Sequence, residues 1–227
     1  MPTWRRFGRR RLSGCLLFFV LSCHSNIPKY TPLVLTPNDL LNSSAIRARG
    51  LISIDSLAIR IRSGDLITRT GNDFTSESLR QLNQRDKTYS HCGIASIEND
   101  SIFVYHSIGG DFNPDQKIRK DPIRVFADPQ NNRGMGLYRF QLTPADHSSL
   151  MNTIHNFYNC GVRFDEKFDL QSDDRMYCAE FVYKSLLIAS KGTLRFHISH
   201  INNFSFIGVD DLFLQPLSKG ISQIIYK

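Results

Sequence analysis

One cysteine and two histidines in this chain are suited, by type and position, to nucleophilic catalysis. Cys178 stands at the start of a predicted helix with the sequence CAEFVYKSL. The backbone N–H groups and the dipole of a first helical turn stabilise negative charge, and this environment lowers the pKa of a thiol. The same N–H groups can hold the oxyanion that forms during acyl transfer. Position alone leaves a buried, inert cysteine equally open.

A predicted β-hairpin brings the two histidines together. If Asn99 and Asp100 form its two-residue turn, then Gly93 lies opposite His106. Side chains alternate along a strand, so His91 lies on the same face as Gly93, two residues away. Diagonal neighbours in a hairpin are about 7–8 Å apart. Because Gly93 leaves space between the two rings, we expect His91 and His106 to share a partner or to meet directly.

The elements that must position these residues predict an α+β fold. We expect strands at residues 66–68, 89–97, 102–107, 136–142 and 221–226, and helices at 74–83, 143–160 and from about 175. Residues 108–135 are rich in Gly, Asp, Asn and Pro and are interpreted as a long loop, with one short strand at 123–126. In the last helix Cys178, Val182 and Leu186 share an apolar stripe, so the cysteine points inward. The pattern favours a single antiparallel sheet with helices packed against it.

The N-terminus has the pattern of a targeting segment. Five arginines within the first 11 residues precede the apolar run of residues 16–21. The run is too short to span a bilayer, which needs about 20 apolar residues, but it suits a signal sequence. It ends in Val20-Leu21-Ser22-Cys23, which resembles the lipobox of bacterial lipoproteins. We therefore expect residues 1–22 to be removed and Cys23 to be lipidated. An ordinary cleaved signal or a retained anchor is the alternative.

The charge balance argues against a nucleic-acid partner. Five of the 28 basic residues leave with the expected signal, and the net charge falls from +7 to +2. A basic cluster within residues 117–124 is interrupted by Asp121 and preceded by Asp115, and we interpret it as a solvated loop. Residues 23–50 hold several prolines and little periodicity, and they predict a tether. The expected globular domain covers residues 51–227.

Three cysteines remain beyond the expected signal and lipidation site. They are Cys92, Cys160 and Cys178, an odd number that indicates a free thiol in an exported protein. Pairing of Cys92 with Cys160 stays open. Cys92 alternates to the face opposite His91 and is interpreted as a packed apolar residue. Since no CxxC or HExxH spacing is present, no metal or other cofactor is predicted.

The order of four motifs resembles the circularly permuted branch of the NlpC-type papain-like superfamily. They are SGDLI from Ser63, YSHCGI from Tyr89, FVYHS from Phe103 and YCAEFV from Tyr177. The resemblance is to the YiiX/YebB-like group in particular. The lecithin:retinol acyltransferase-like proteins share the same order, with histidine first and cysteine last. The resemblance covers residue 51 to the C-terminus and implies a permuted papain-like fold.

The resemblance also implies roles for the residues. It makes Cys178 the nucleophile and His91 the general base, and the third polar position falls on His106. YiiX-like proteins often have an acid at that position, whereas the acyltransferase-like branch has histidine. Tyr177 matches the aromatic residue before the cysteine and is expected at the substrate. The implied reaction passes through a thioester on Cys178, while His106 fixes the ring of His91.

These observations predict an exported, lipid-anchored cysteine hydrolase of the cell envelope, on its periplasmic or extracellular face. We expect an amidase or peptidase acting on envelope peptides. A lipase or acyltransferase acting on membrane lipid is one alternative, suggested by His106 and Cys23. A binding protein that keeps the fold without activity is the other.

Overall fold

The fold is that of a computed structural model, which describes residues 37–110 and 113–226, with side chains from residue 43 onward. The expected signal, the lipidation site at Cys23 and the first part of the expected tether lie outside the described residues. The strands are β1 (Leu66–Gly71), β2 (His91–Glu98), β3 (Ser101–His106), β4 (Arg119–Pro122), β5 (Asn132–Phe140), β6 (Ser199–Ile201), β7 (Phe204–Phe206) and β8 (Ser218–Ile225). The helices are α1 (Pro37–Ala58), α2 (Phe74–Arg80), α3 (Ile123–Phe126), α4 (Pro144–Asn159), α5 (Cys178–Ala189) and α6 (Val209–Phe213).

The predicted α+β class is confirmed. Within the described ranges, six strands form one sheet in the order β4-β3-β2-β1-β5-β8, and its neighbouring strands run antiparallel. Strands β6 and β7 form a separate hairpin. None of the helices in this part of the chain is long and apolar enough to cross a membrane.

The sheet buries apolar side chains on both faces. On one face α4 and α5 pack over Cys92 and Ile94 of β2. On the other face α1 and α3 cover Ala95 of β2 and Val104 of β3. Because side chains alternate along a strand, consecutive residues of β2 contribute to different cores. This alternation decides which helix each candidate catalytic residue meets.

The predicted hairpin between β2 and β3 is confirmed, including its register. Ala95 lies opposite Val104, as expected for a two-residue turn. The turn residues Asn99 and Asp100 have φ angles of 46° and 62°. Both therefore adopt the left-handed conformation that a type I′ hairpin requires, which asparagine and aspartate tolerate better than most residues.

The prediction of a loop over residues 108–135 is wrong for the second half of that range. Residues 119–122 form β4, which pairs with β3, and β5 begins at Asn132 rather than Gly136. Residues 123–126, expected as a strand, form the helical turn α3, in which Ile123 and Phe126 are buried three positions apart. The strand escaped prediction because its sequence, Arg-Lys-Asp-Pro, lacks apolar alternation. It lies at the sheet edge, where charged residues and proline are tolerated.

The described part of the expected tether is helical. Residues 37–50 form the first part of α1, which begins at Pro37, a residue favoured in the first helical turn. Arg47 forms an ion pair with Asp128, with 3.1 Å between Nη2 and Oδ2, and Ile54 is fully buried. The compact domain therefore begins before residue 51. The many Asn and Ser residues of this helix gave it the composition of a linker.

We predict that Gly93→Ala destabilises the hairpin at the candidate site. A Cβ at this position would lie 2.6 Å from the Tyr105 carbonyl oxygen, 2.7 Å from Val104 Cγ1 and 2.9 Å from His106 Cβ. Relieving such overlap requires the strands to move, which typically costs about 1–3 kcal/mol. Urea unfolding should show a loss of this size in the free energy of unfolding.

Gly220→Ala is the matched control on another strand of the same sheet. An added Cβ there would meet Tyr138 at 3.6 Å, an ordinary van der Waals contact. We expect a change within about 0.5 kcal/mol. Equal losses in the free energy of unfolding of the two variants would contradict the close approach of the strands at Gly93.

Candidate active site

Two histidines and an aspartate form a continuous chain of hydrogen bonds across β2, β3 and β4. His91 Nε2 lies 2.9 Å from His106 Nδ1, and His106 Nε2 lies 3.1 Å from Asp121 Oδ2. Arg119 donates to the other carboxylate oxygen of Asp121 from Nη2 at 2.7 Å and from Nε at 3.2 Å. Both imidazole rings are buried and contact the ring of Phe126. The predicted meeting of the two histidines over Gly93 is thus observed.

The electrostatics of this chain determine the charge of each member. Burial alone would raise the pKa of Asp121, but hydrogen bonds from His106 and Arg119 lower it, so the carboxylate is ionised at neutral pH. Burial lowers the pKa of His106 to about 4. Burial, together with the charges of Arg69 and His106, also lowers the pKa of His91. Both imidazoles are therefore neutral at neutral pH.

The tautomers of both rings follow from these charges. A carboxylate only accepts hydrogen bonds, so His106 donates its Nε2–H to Asp121 and keeps a lone pair on Nδ1. That lone pair accepts Nε2–H of His91. The Nδ1 atom of His91 is then unprotonated, which is the state a general base needs. Asp121 thus fixes the tautomer of a ring that it does not touch.

Cys178 is the first residue of α5, as predicted. Its neighbour Tyr177 is the N-cap, with extended backbone at φ −83° and ψ 174°. Glu180 closes the first turn, since its Oε2 accepts the backbone N–H of Tyr177 at 3.3 Å. Cys178 retains 9% of its surface exposed. The helix therefore places the thiol at its N-terminus, next to the sheet.

The surroundings of Cys178 favour its thiolate. The Cys92 thiol lowers the pKa of Cys178 against the effect of burial, and the backbone amides of Cys92 and Ala179 and the charge of Arg69 act in the same direction. Burial raises the pKa of Cys92 itself. Cys178 is consequently the more acidic thiol of the two. Cys92 packs in the apolar core under α5, as the sequence predicts.

The Cys92 amide is available because β2 and β3 separate at this point. The last paired residues of their ladder are Ile94 and Tyr105. Ala95 donates its N–H to Asp65, on the β1 side. Since amides alternate in direction along a strand, the Cys92 N–H points toward the β3 side, beyond the end of the ladder. Cys178 lies against the strand where this amide has lost its pairing partner.

Cys178 and His91 meet the same end of β2 without a direct bond. Across the described residues, no hydrogen bond joins the Cys178 sulfur to a His91 nitrogen. His91 faces the α1 and α3 side, whereas Cys92, beside Cys178, faces the α4 and α5 side. Both Cys178 and His91 keep 8–9% of their surface exposed. The structure therefore brings Cys178 and His91 to the same end of β2 but does not join them as a hydrogen-bonded pair.

Tyr177 has a supporting position in the structure. It is 3% exposed, its hydroxyl accepts the backbone N–H of Ile207 at 2.7 Å, and its ring contacts Phe168 with 4.8 Å between centroids. These contacts occupy the side chain that the resemblance places at the substrate. The geometry favours a role in holding α5 and its neighbouring loop.

Sequence reasoning missed Asp121 and Arg69. Asp121 was assigned to a solvated loop, yet β4 places it beside His106. Arg69 of β1 lies directly opposite His91 of β2, and its guanidinium lies over Phe126, 4.8 Å from the ring centre. No local signal indicates either contact, because both depend on pairing between strands that are far apart in the sequence or joined by irregular segments.

The described residues offer no evident metal centre. No group of three or more His, Cys, Asp or Glu side chains in this part of the chain is placed to hold an ion. His147 Nε2 lies 2.7 Å from the Ser63 carbonyl oxygen, and His197 Nδ1 lies 2.8 Å from Asp211. These histidines therefore have protein partners.

We predict that ring ¹⁵N spectra at about pH 7 show His91 protonated at Nε2 and bare at Nδ1. Asp121→Asn should weaken this preference, because a neutral amide can either donate or accept. The exposed Asp115, which pairs with Lys117, provides a control, and Asp115→Asn should leave the spectra unchanged. Identical spectra for Asp121→Asn and the parent protein would contradict the proposed tautomers.

We also predict that stability falls as the pH drops from about 6.5 to about 4. The pKa of His106 is lowered from 6.5 to about 4 in the folded state, so the unfolded chain takes up a proton first. The free energy of unfolding should decrease through this window by up to about 3 kcal/mol from this residue. Urea unfolding of His106→Gln should show a flatter pH dependence. The exposed His200 is the control, since His200→Gln should retain the parent slope.

Comparison with known proteins finds a relative in sequence and in fold. No family model matches the chain. It is 24% identical over 136 residues to the uncharacterized protein YiiX of Escherichia coli (strain K12), a match that covers 59% of this chain and 61% of that protein. The chain thus spans about three fifths of the length of this curated relative. The crystal structure of YiiX from Escherichia coli O157:H7, described as a metalloprotein, superimposes with a TM-score of 0.56 at 18% identity, over 72% of this chain and 98% of that one. The chain is therefore similar to YiiX in sequence and shares its α+β fold.

Proposed function

We propose that this protein is a cysteine hydrolase that forms a thioester on Cys178, with His91 as the general base. The hydrogen-bond chain from Asp121 through His106 to His91 carries this proposal, because it leaves a neutral imidazole with its lone pair on Nδ1. A buried neutral imidazole oriented by a second polar group is the arrangement that activates a nucleophile in hydrolases. His106 and Asp121 act as positioning residues.

The environment of Cys178 supports its role as the nucleophile. The residue opens a 12-residue helix, whose dipole and free N–H groups favour a thiolate. The amides of Cys92 and Ala179 reinforce this effect. Cys160 is exposed and Cys92 is fully buried, and neither begins a helix. Cys178 therefore combines access with activation better than the other two.

The reaction follows from these positions. Nδ1 of His91 takes the proton from Cys178, and the sulfur attacks the substrate carbonyl carbon. Backbone N–H groups of the first turn of α5 stabilise the resulting oxyanion. The protonated His91 then donates its proton to the leaving amine as the C–N bond breaks, giving a thioester. Water attacks the thioester, His91 takes its proton and returns it to the sulfur, and a carboxylic acid leaves.

The charge that develops during this cycle explains the value of the second histidine. When His91 becomes an imidazolium, its Nε2–H bond to His106 strengthens, and the ionised Asp121 stabilises the positive charge through the His106 ring. Arg119 in turn keeps Asp121 ionised. Hydrogen bonds to charged partners are roughly twice as strong as neutral ones.

We propose the cell envelope as the setting, on the basis of the targeting pattern in residues 1–22 and the lipobox-like sequence before Cys23. The order of the four motifs supports kinship with permuted NlpC-type papain-like enzymes, and the similarity to YiiX supports a YiiX-like protein. An amide in an envelope peptide is the expected substrate. YiiX is described as a metalloprotein, but the described side chains here include no cluster that fits a metal, so no step is assigned to one.

We predict that p-nitrophenyl acetate acetylates Cys178, detected by mass spectrometry of the peptide that contains it. Cys178→Ala should abolish the rapid release of nitrophenolate, and His91→Ala should slow it about 100-fold or more. Cys160→Ala is the control for exposed thiols and should react as the parent does. Undiminished release from Cys178→Ala would refute the proposal.

The same variants separate the substrate classes. The parent protein is incubated with peptidoglycan-derived peptides and with phospholipid vesicles, and the products are read by mass spectrometry. Peptide cleavage that depends on Cys178 supports the amidase. Release of fatty acid without peptide cleavage would assign the thioester chemistry to a lipase or acyltransferase instead.

A further inference from the structure

Arg69 presents an unused hydrogen-bonding edge beside the candidate site. It is partly buried on β1, opposite His91 of β2. Its Nη1 donates to the Phe126 carbonyl oxygen at 2.8 Å, and its guanidinium lies over the same Phe126 ring that contacts both histidines. Throughout the described ranges, no hydrogen bond uses Nε or Nη2 of Arg69. These two atoms form the side-on edge of a guanidinium.

The absence of an acidic partner distinguishes Arg69 from comparable arginines. Arg139 donates from Nε and Nη2 to both oxygens of the buried Asp65, each at 2.7 Å. By contrast, no carboxylate of the described residues lies within 4.0 Å of the Arg69 guanidinium. Asp121, the acid of the site, is already bound by Arg119 and His106. The contacts of Arg69 with the Phe126 carbonyl oxygen and ring thus offset its burial only in part, because no carboxylate is bound to its guanidinium.

We propose that Arg69, which lies opposite His91 on the neighbouring strand, binds a carboxylate of the substrate. The inference rests on the proposed function and adds the charge of the substrate to it. A planar carboxylate matches the free Nε and Nη2 edge of the guanidinium, which binds such groups through two parallel hydrogen bonds. The contact with the Phe126 carbonyl oxygen and ring holds that edge in place.

Arg69 also contributes to the stabilisation of the Cys178 thiolate, and this effect must be separated from substrate binding. A cation that acts only through its charge also attracts an anionic reagent, and lysine does so about as well as arginine. A guanidinium that binds the carboxylate through two hydrogen bonds favours the charged reagent more than lysine does. The rate ratio of Arg69→Lys compared with that of the parent therefore distinguishes the roles, and an unchanged ratio in Arg69→Lys would overturn carboxylate binding.

Iodoacetate and iodoacetamide provide the matched pair, since they differ in a carboxylate and an amide. We measure alkylation of Cys178 in the full chain by mass spectrometry of its peptide, with the exposed Cys160 as internal reference. In the parent, the iodoacetate-to-iodoacetamide rate ratio should be higher at Cys178 than at Cys160. Arg69→Gln should lower the Cys178 ratio by on the order of tenfold, as expected for loss of a nearby charge. The Cys178 ratio of Arg69→Lys should fall between the ratios of the parent and of Arg69→Gln.

Arg124→Gln is the matched control. Arg124 lies on α3, near Phe126, and pairs with the exposed Asp55. Its replacement removes one positive charge from a neighbouring element without touching the site, so the Cys178 ratio should not change. Thermal unfolding verifies that each variant is folded. If Arg69→Gln does not fold, Arg69→Lys still tests the loss of the two parallel hydrogen bonds from the guanidinium.

The outcomes separate the two proposals. Equal slowing of both reagents in Arg69→Gln overturns carboxylate binding but leaves the cysteine hydrolase intact. If Cys178 in the parent reacts with neither reagent faster than Cys160, the proposed function fails, and the inference fails with it. If N-acetylglycine protects Cys178 from alkylation in the parent but not in Arg69→Gln, the result supports binding of a carboxylate by Arg69. Protection by glycerol phosphate alone would overturn it in favour of a phosphate-bearing substrate.

Discussion

The hydrogen bond between His91 and His106 is the interaction on which the candidate site depends. It requires the exact register of the β2–β3 hairpin, because a slip of one residue would send one ring to the opposite face of the sheet. It also requires Gly93, since a Cβ at this position would overlap the Tyr105 carbonyl oxygen and the Cβ of His106. The type I′ turn at Asn99 and Asp100 sets that register. A turn about 20 Å away along the strands therefore determines the geometry of the site, given about 3.3 Å per residue.

The charges around this hydrogen bond are arranged so that the imidazoles stay neutral. Asp121 is ionised and bound by Arg119, while burial keeps His106 and His91 unprotonated. Positive charge from Arg69 adds to the suppression of His91 protonation and favours the Cys178 thiolate at the same time. The described site thus holds a neutral imidazole at His91 and a thiol with a lowered pKa at Cys178. Only the arrival of a proton at His91 creates a charge for Asp121 to stabilise.

The sequence predicted the parts of the site that depend on local pairing. The hairpin register followed from one turn and from strand alternation, and the helix at Cys178 followed from its apolar stripe. Asp121 and Arg69 could not be predicted, because β3 pairs with β4 across an irregular segment and β1 pairs with β2 across α2 and a loop. Neither pairing leaves a pattern in the residues involved. The helix within residues 37–50 was missed for a different reason, since polar residues on an exposed helical face resemble a linker.

Strand β4 lies at the edge of the sheet, is four residues long and pairs with β3 alone. Short edge strands are among the first parts of a domain to open locally. The carboxylate that fixes both tautomers is therefore carried by an edge strand with a single pairing partner, between the buried residues Ile118 and Ile123. When β4 detaches, His106 loses its acceptor, and the imidazole pair can exchange protons between alternative tautomers. The fraction of molecules that hold His91 in the tautomer required by the proposed mechanism would then follow the opening equilibrium of this edge rather than the global stability of the domain.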